Sequence, residues 1–145
     1  MNRFFAAVLT SFLVAGGIFA AVDNQPTLTS ESLTTEDDPI ISARTMPVFR
    51  DYYLGKTNPR NPLASPVFGD FHGIPPLLIQ VGQHEMLRDD SVRVADKVRQ
   101  DGGQVELEVW PGMFHVFQSH EPLLPEAQES IKHIAEFIGS AVLQP

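Results

Sequence analysis

The chain has 145 residues, of which 43% are hydrophobic, and this is enough for one domain with a core of its own. Its formal net charge is -8 and its pI is about 4.9; since no cluster of lysine and arginine offsets the acidity, a nucleic-acid partner is not expected. The absence of cysteine excludes disulfides, thiolate metal sites and a cysteine nucleophile.

The first 22 residues form an apolar N-terminal segment whose only charged side chain is Arg3. A short positive start, an apolar middle and the small residues Ala20 and Ala21 are typical of a secretory signal peptide, and the run is also long enough for a marginal membrane span. The alternative is a buried strand or helix of a larger α/β core. The positive start slightly favours a secreted or membrane-anchored protein with membrane contact through residues 4–22, ahead of a cytoplasmic one.

Residues 23–76 are mostly polar or rich in proline. Asp38 and Pro39 indicate a turn. Ser42 is a candidate N-cap for a helix over Ala43–Leu54, which Gly55 would close in a left-handed conformation. Five prolines between residues 56 and 76 predict a surface crossing without regular structure.

The next stretch predicts a strand, a helix and a second strand. The apolar run Leu77–Val81 is typical of a strand buried on both faces, as in a parallel sheet. Asp89 or Asp90 would cap the helix that follows, and Gly102-Gly103 would stop it. Alternation of apolar residues with glutamate from 105 to 109 then predicts a half-exposed strand at a sheet edge.

A closing helix is predicted over Pro125–Val142, with an apolar face formed by Ile131, Ile134, Ala135 and Ile138. Strands that alternate with helices through short loops imply right-handed crossovers and a parallel sheet. In such sheets the functional side chains lie at the carboxyl ends of the strands.

Glu85 and His115 both fall at such strand ends, which is the main argument that they act together. A histidine that serves as a general base needs a carboxylate to orient it, and Glu85 follows the first strand most closely. The alternative is that His115 is a structural hydrogen-bonding residue. No metal site and no cofactor site is predicted, because the histidines lack close ligand spacing and no glycine-rich phosphate loop occurs.

Three stretches together resemble the C-terminal part of hormone-sensitive-lipase-type α/β-hydrolases, a family of esterases, acetyl esterases and lactone hydrolases. They are NPLASPVFGDFHGIPP, PPLLIQVGQHEMLRDDS and GGQVELEVWPGMFHVFQ, in the family's order, and the resemblance covers about Thr27 to Pro145. It implies an α/β fold class in which residues 23–145 form a partial α/β-hydrolase domain with two or three parallel strands and flanking helices.

The resemblance also implies a serine–acid–histidine triad that hydrolyses carboxylic esters through an acyl-enzyme. His115 in PGMFHVF matches the family histidine. Glu85 falls at the position of the family acid, which is most often aspartate, and Asp89 is the alternative acid.

The family's nucleophile lies in a GxSxG turn and its oxyanion hole in an HGGG-type loop, and neither motif occurs in these 145 residues. We therefore expect a serine carboxylic-ester hydrolase that takes a small ester only when an N-terminal half complements it, and no appreciable esterase activity from the chain alone. The alternative is a non-enzymatic secreted or membrane-anchored module that binds acyl compounds or a protein partner. The sequence leaves the substrate and the oligomeric state open.

Overall fold

The computed structural model describes residues 7–10, 38–41 and 46–142, which form an α/β structure. Short 3-10 turns at Pro66–Phe68 and Phe117–His120 join the longer elements. The strands are β1 (Ala7–Thr10), β2 (Leu77–Gly82) and β3 (Val105–Trp110), and the α-helices are α1 (Met46–Leu54), α2 (Arg88–Gln100) and α3 (Pro125–Val142).

The three strands form one parallel sheet in the order β1-β2-β3, which confirms the predicted fold class. Leu77 pairs with Ala7 on one side and with Val105 on the other. Every residue of β2 is buried, as its apolar run predicts, because strands pair with both of its edges and helices cover both of its faces. β3 lies at an edge of the described sheet and is only half buried, also as predicted.

β1 lies within the apolar N-terminal segment, so residues 7–10 occupy a place in the sheet, as the core-strand alternative requires. The expected boundary between residues 22 and 23 lies outside the described residues. Among the helices that the structure describes, none has both the length and the apolar character needed to cross a membrane.

Helices cover both faces of the sheet. On one face, Leu77 and Ile79 of β2 pack against Val94, Ala95 and Val98 of α2 in a continuous apolar core. On the other face, Gln80 donates a hydrogen bond to the backbone carbonyl of Ser130 in α3. Since successive side chains of a strand point to opposite faces, this alternation fixes α2 and α3 on opposite sides of β2.

The predicted cap of α2 is wrong. The helix begins at Arg88, so Asp89 and Asp90 lie inside its first turn, and Leu87 takes the N-cap position without a side-chain hydrogen bond. The N–H of Arg88 donates to the carbonyl of Glu85, and the N–H of Ser91 donates to the carbonyl of Leu87. The helix therefore starts ahead of either aspartate. Both carboxylates still lie where the helix dipole favours negative charge.

The ends of α1 and of the proline-rich crossing follow the local sequence signals. The predicted N-cap Ser42 lies outside the described residues, and α1 is described from Met46. Gly55 has a φ of 54° and its N–H binds the carbonyl of Asp51, which confirms the predicted left-handed closure. Between residues 56 and 76 only the short turn at Pro66–Phe68 is regular.

α3 has the predicted bounds, but its buried face differs from the predicted apolar face. Ala127 and Ser130 are fully buried, whereas Ile131 and Ile138 are 43% and 42% exposed. The helix is therefore seated on the sheet largely through small and polar side chains. Ile134 is half buried, whereas Ile131 and Ile138 point away from the described core.

Candidate active site

A carboxylate and an imidazole meet beyond the carboxyl ends of β2 and β3. β2 ends at Gly82 and β3 at Trp110, and Glu85 and His115 follow them in adjacent loops. The Nδ1 atom of His115 lies 2.8 Å from the Oε1 atom of Glu85. Both side chains are buried, with 4% of Glu85 and 7% of His115 exposed, so solvent hardly screens their interaction.

Both carboxylate oxygens of Glu85 have partners. Oε1 faces His115, and Oε2 accepts a hydrogen bond from the backbone N–H of Gly82 at 2.9 Å. Because a carboxylate only accepts hydrogen bonds, Nδ1 is the protonated nitrogen of His115 in this pair. The Nε2 atom of the same ring is then the acceptor, which is the tautomer that a general base requires.

The loop that carries His115 crosses closely over the end of β2. A Cβ atom added at Gly82 would lie 2.5 Å from the carbonyl oxygen of Met113, so only glycine allows this approach. The N–H of His84 donates to the same carbonyl at 2.9 Å, and the N–H of Gln83 donates to Trp110. These backbone contacts hold the two loops in register and thereby bring Glu85 and His115 together.

The residue after His115 has a strained backbone. Val116 has a φ of 54°, in the left-handed region, where a β-branched side chain costs on the order of 1–3 kcal/mol. The next residue, Phe117, is fully buried, with its ring centroid 5.7 Å from that of Trp110. Burial of Phe117 offsets the strain and fixes the direction in which the His115 loop leaves the site.

Asp38 supports the other loop, a role that the sequence did not reveal. Its Oδ2 atom accepts a hydrogen bond from the N–H of Met86 at 3.1 Å, while Oδ1 accepts from Ile40 and Ile41. The sequence signal, an aspartate before proline, predicted only a turn. The contact joins residues 48 positions apart and holds the peptide immediately after Glu85.

The two aspartates near Glu85 have other partners. Asp89 accepts a hydrogen bond from Arg88 at 3.0 Å, and Arg93 lies 3.4 Å from Asp90. Burial raises the pKa of Asp90 to about 6; Arg93 opposes this shift and Asp89 adds to it. The geometry therefore favours Glu85 over Asp89 as the partner of His115.

A group of three side chains with metal-binding atoms was not predicted from the sequence. It consists of Asp70, His72 and Asp101, whose ligand atoms lie within 4.8 Å of one another. The side chains of Asp70 and His72 form a hydrogen bond with each other. Oδ2 of Asp101 accepts hydrogen bonds from the ammonium group of Lys97 and from the N–H of Phe71. Hydrogen bonds within the chain thus account for these groups.

A parallel sheet with helices on both faces, and with polar side chains gathered beyond its carboxyl edge, defines an α/β protein with a site at that edge. Residues 9–119 match a family model described as the alpha/beta hydrolase fold, and the chain belongs to that family.

Curated relatives carry the same stretch of sequence. The chain is 46% identical over 89 residues to an acetyl-hydrolase of Streptomyces hygroscopicus, covering 61% of this chain and 30% of that protein. It is 38% identical over 117 residues to an esterase of Acinetobacter venetianus, covering 79% of this chain and 39% of that protein. The chain thus spans well under half the length of these relatives.

Solved structures of the family have the same architecture. An esterase/lipase from an uncultured bacterium is 30% identical and superimposes with a TM-score of 0.81 over 96% of this chain and 44% of its own. A hormone-sensitive lipase from a metagenome library is 32% identical, with a TM-score of 0.81 over 94% of this chain and 44% of its own. These neighbours confirm the resemblance to hormone-sensitive-lipase-type hydrolases.

Proposed function

We propose that Glu85 and His115 are the acid and the general base of a carboxylic-ester hydrolase whose serine nucleophile and oxyanion hole come from outside these 145 residues. The buried 2.8 Å contact between the two side chains, beyond the ends of adjacent parallel strands, carries the proposal. Relatives named acetyl-hydrolase and esterase support a carboxylic ester as the substrate class.

In the proposed reaction, Nε2 of His115 takes the proton of the serine hydroxyl as its oxygen attacks the ester carbonyl carbon. The tetrahedral intermediate collapses, the C–O bond to the alcohol breaks, and the imidazolium returns the proton to the departing alkoxide. Water then attacks the acyl-enzyme with the same help from His115, which releases the carboxylic acid and restores the serine. Glu85 fixes the tautomer of His115 and stabilises the imidazolium in both steps.

The proposal includes inactivity of the chain alone. The GxSxG and HGGG-type motifs do not occur in the sequence, and nucleophile, oxyanion hole and histidine act as a unit. A histidine with its acid but without a serine or oxyanion donors gives up most of the rate enhancement. A small ester is therefore a substrate only when a complementing N-terminal half is present.

A chimera tests this proposal. The chain is fused behind the N-terminal part of the Acinetobacter venetianus esterase, and turnover of 4-nitrophenyl acetate is measured for the chimera and for the isolated chain. We expect turnover by the chimera, loss of it in His115→Ala, and none by the isolated chain above the rate of its own His115→Ala variant. His72→Ala, which replaces an exposed histidine, is the matched control and should leave the rate of the chimera unchanged.

Two results would overturn the proposal. One is a folded chimera that turns over ester equally well with and without His115. The other is turnover by the isolated chain that His115→Ala abolishes, because that activity would need a nucleophile within these 145 residues.

A further inference from the structure

A second histidine–carboxylate pair lies on the α3 face of the sheet, away from Glu85. The Nδ1 atom of His133 lies 3.0 Å from Oε1 of Glu108. The other oxygen of Glu108, Oε2, accepts hydrogen bonds from Nε2 of Gln80 at 2.8 Å and from the indole N–H of Trp110 at 3.0 Å. One carboxylate thus collects donors from β2, β3 and α3.

Two contacts lead from this carboxylate to the loop that carries His115. In the first, the side chain of Gln80 accepts a 3.4 Å hydrogen bond from the side chain of Gln118, which lies three residues after His115. In the second, the ring of Trp110 packs against the fully buried Phe117, two residues after His115. Trp110 also packs against His133, with ring centroids 5.5 Å apart.

Packing alone does not require this arrangement. A carboxylate at a strand–helix contact loses hydration, and an apolar side chain of similar volume would cover the sheet without that cost. Hydrogen bonds, unlike apolar contacts, have preferred directions, so the carboxylate constrains Gln80 and Trp110 more tightly than an apolar residue would. Both of these residues contact the segment directly after His115.

We propose that Glu108 and His133 are positioning residues for the His115 loop, and that the charge of His133 is transmitted through Gln80 and Trp110 to the environment of the His115 ring. The inference concerns the regulation of the proposed active site and rests on the proposed function only for its catalytic consequence. The coupling itself is a property of the chain without substrate.

The groups that face His133 determine the direction of the effect. Glu108 contacts it from β3; on its own helix, Oε1 of Glu129 lies 3.5 Å from its Nε2, and Glu136 adds a further negative charge. The hydrogen bond with Glu108 raises the pKa of His133 above its ordinary value. The pKa of His133 is therefore higher in the folded chain than in the unfolded chain. The stabilisation by the charged pair is fully present below the unfolded pKa, and it is lost as pH rises through the folded pKa.

Nuclear magnetic resonance of the whole 145-residue chain tests the proposal without any ester. The histidine rings are labelled with ¹⁵N, and the ring signals of His115 and His133 are followed against pH. We expect the His115 signals to show an inflection at the pH where His133 titrates. His133→Gln should abolish that inflection, and so should Glu108→Gln, which keeps an acceptor for Trp110 but removes the charge.

His72→Gln is the matched control, because it removes an exposed histidine paired with Asp70 and should leave that inflection of the His115 signals in place. Circular dichroism checks that each variant is folded. His115 signals with the same pH dependence in the wild type and in folded His133→Gln would overturn the proposal. An inactive chimera would contradict the proposed function but not this coupling, whereas an active chimera with uncoupled histidines would contradict the coupling alone.

Discussion

Glu85 makes two contacts that its length allows. Its carboxylate lies three residues beyond β2, yet it accepts from His115 with one oxygen and from the N–H of Gly82 with the other. An aspartate at this position would have a shorter reach and would need a different loop path. The path of this loop therefore suits the longer side chain of a glutamate in the role that the proposed function gives to Glu85.

Asp90 is a residue whose ionisation costs stability. Its folded pKa of about 6 exceeds that of an unfolded aspartate, so the folded state binds more protons between about pH 4 and pH 6. The contribution of Asp90 to the free energy of unfolding therefore falls as pH rises through that range. This loss is on the order of 1–2 kcal/mol.

Asp90→Asn should remove this loss, because the amide has no charge to desolvate. We expect urea unfolding to show a variant about 1–2 kcal/mol more stable than the wild type at pH 7.5, with little difference at pH 4. Asp89→Asn is the control, because Asp89 is more exposed and pairs with Arg88. A wild type and an Asp90→Asn variant with the same pH dependence would contradict this account.

At the scale of the elements, the critical contact is the crossing of the His115 loop over the end of β2. Gly82→Ala would place a methyl group against the Met113 carbonyl, so the loop must shift. We expect a loss of about 1–3 kcal/mol in the free energy of unfolding, measured by urea titration, and a weaker Glu85–His115 contact seen in the ring signals of His115.

Gly139→Ala is the matched control for this substitution. A Cβ atom at Gly139 meets no atom within 4 Å, and alanine is the better helix former, so this variant should be as stable as the wild type or more stable. A Gly82→Ala variant with unchanged stability and unchanged His115 signals would show that the close approach does not position the site.

Local signals in the sequence predicted the elements well, because the apolar run of β2, the alternation in β3 and the glycine after α1 act over a few residues. The start of α2 was missed for a local reason, because the turn that carries Glu85 runs directly into the helix. The other failures involve partners distant in the chain: the buried face of α3 depends on Gln80. The sequence predicted only a turn at Asp38, because its partner Met86 is far along the chain. It predicted only an exposed strand position at Glu108, because His133 is also far along the chain.

At the scale of the whole molecule, apolar side chains are exposed on two helices. On α1 they include Tyr52, which is 86% exposed, and on α3 they include Ile131 and Ile138. Apolar patches of this kind mark surfaces that pack against further protein. Because the chain spans 44% of the length of the solved structures it matches, we expect these faces to contact additional chain in a complete hydrolase.

In the proposed hydrolase, Glu85 and His115 supply two of the three members of a triad, and kcat for 4-nitrophenyl acetate in the chimera measures how much Glu85 contributes through His115. Glu85→Gln keeps the size of the side chain but favours the wrong tautomer of His115, so kcat should fall by about 10⁴-fold, as in other triads that lose their acid. Asp89→Asn should leave kcat unchanged. A folded Glu85→Gln chimera that retains the full kcat, or an equal loss in Asp89→Asn, would contradict the account.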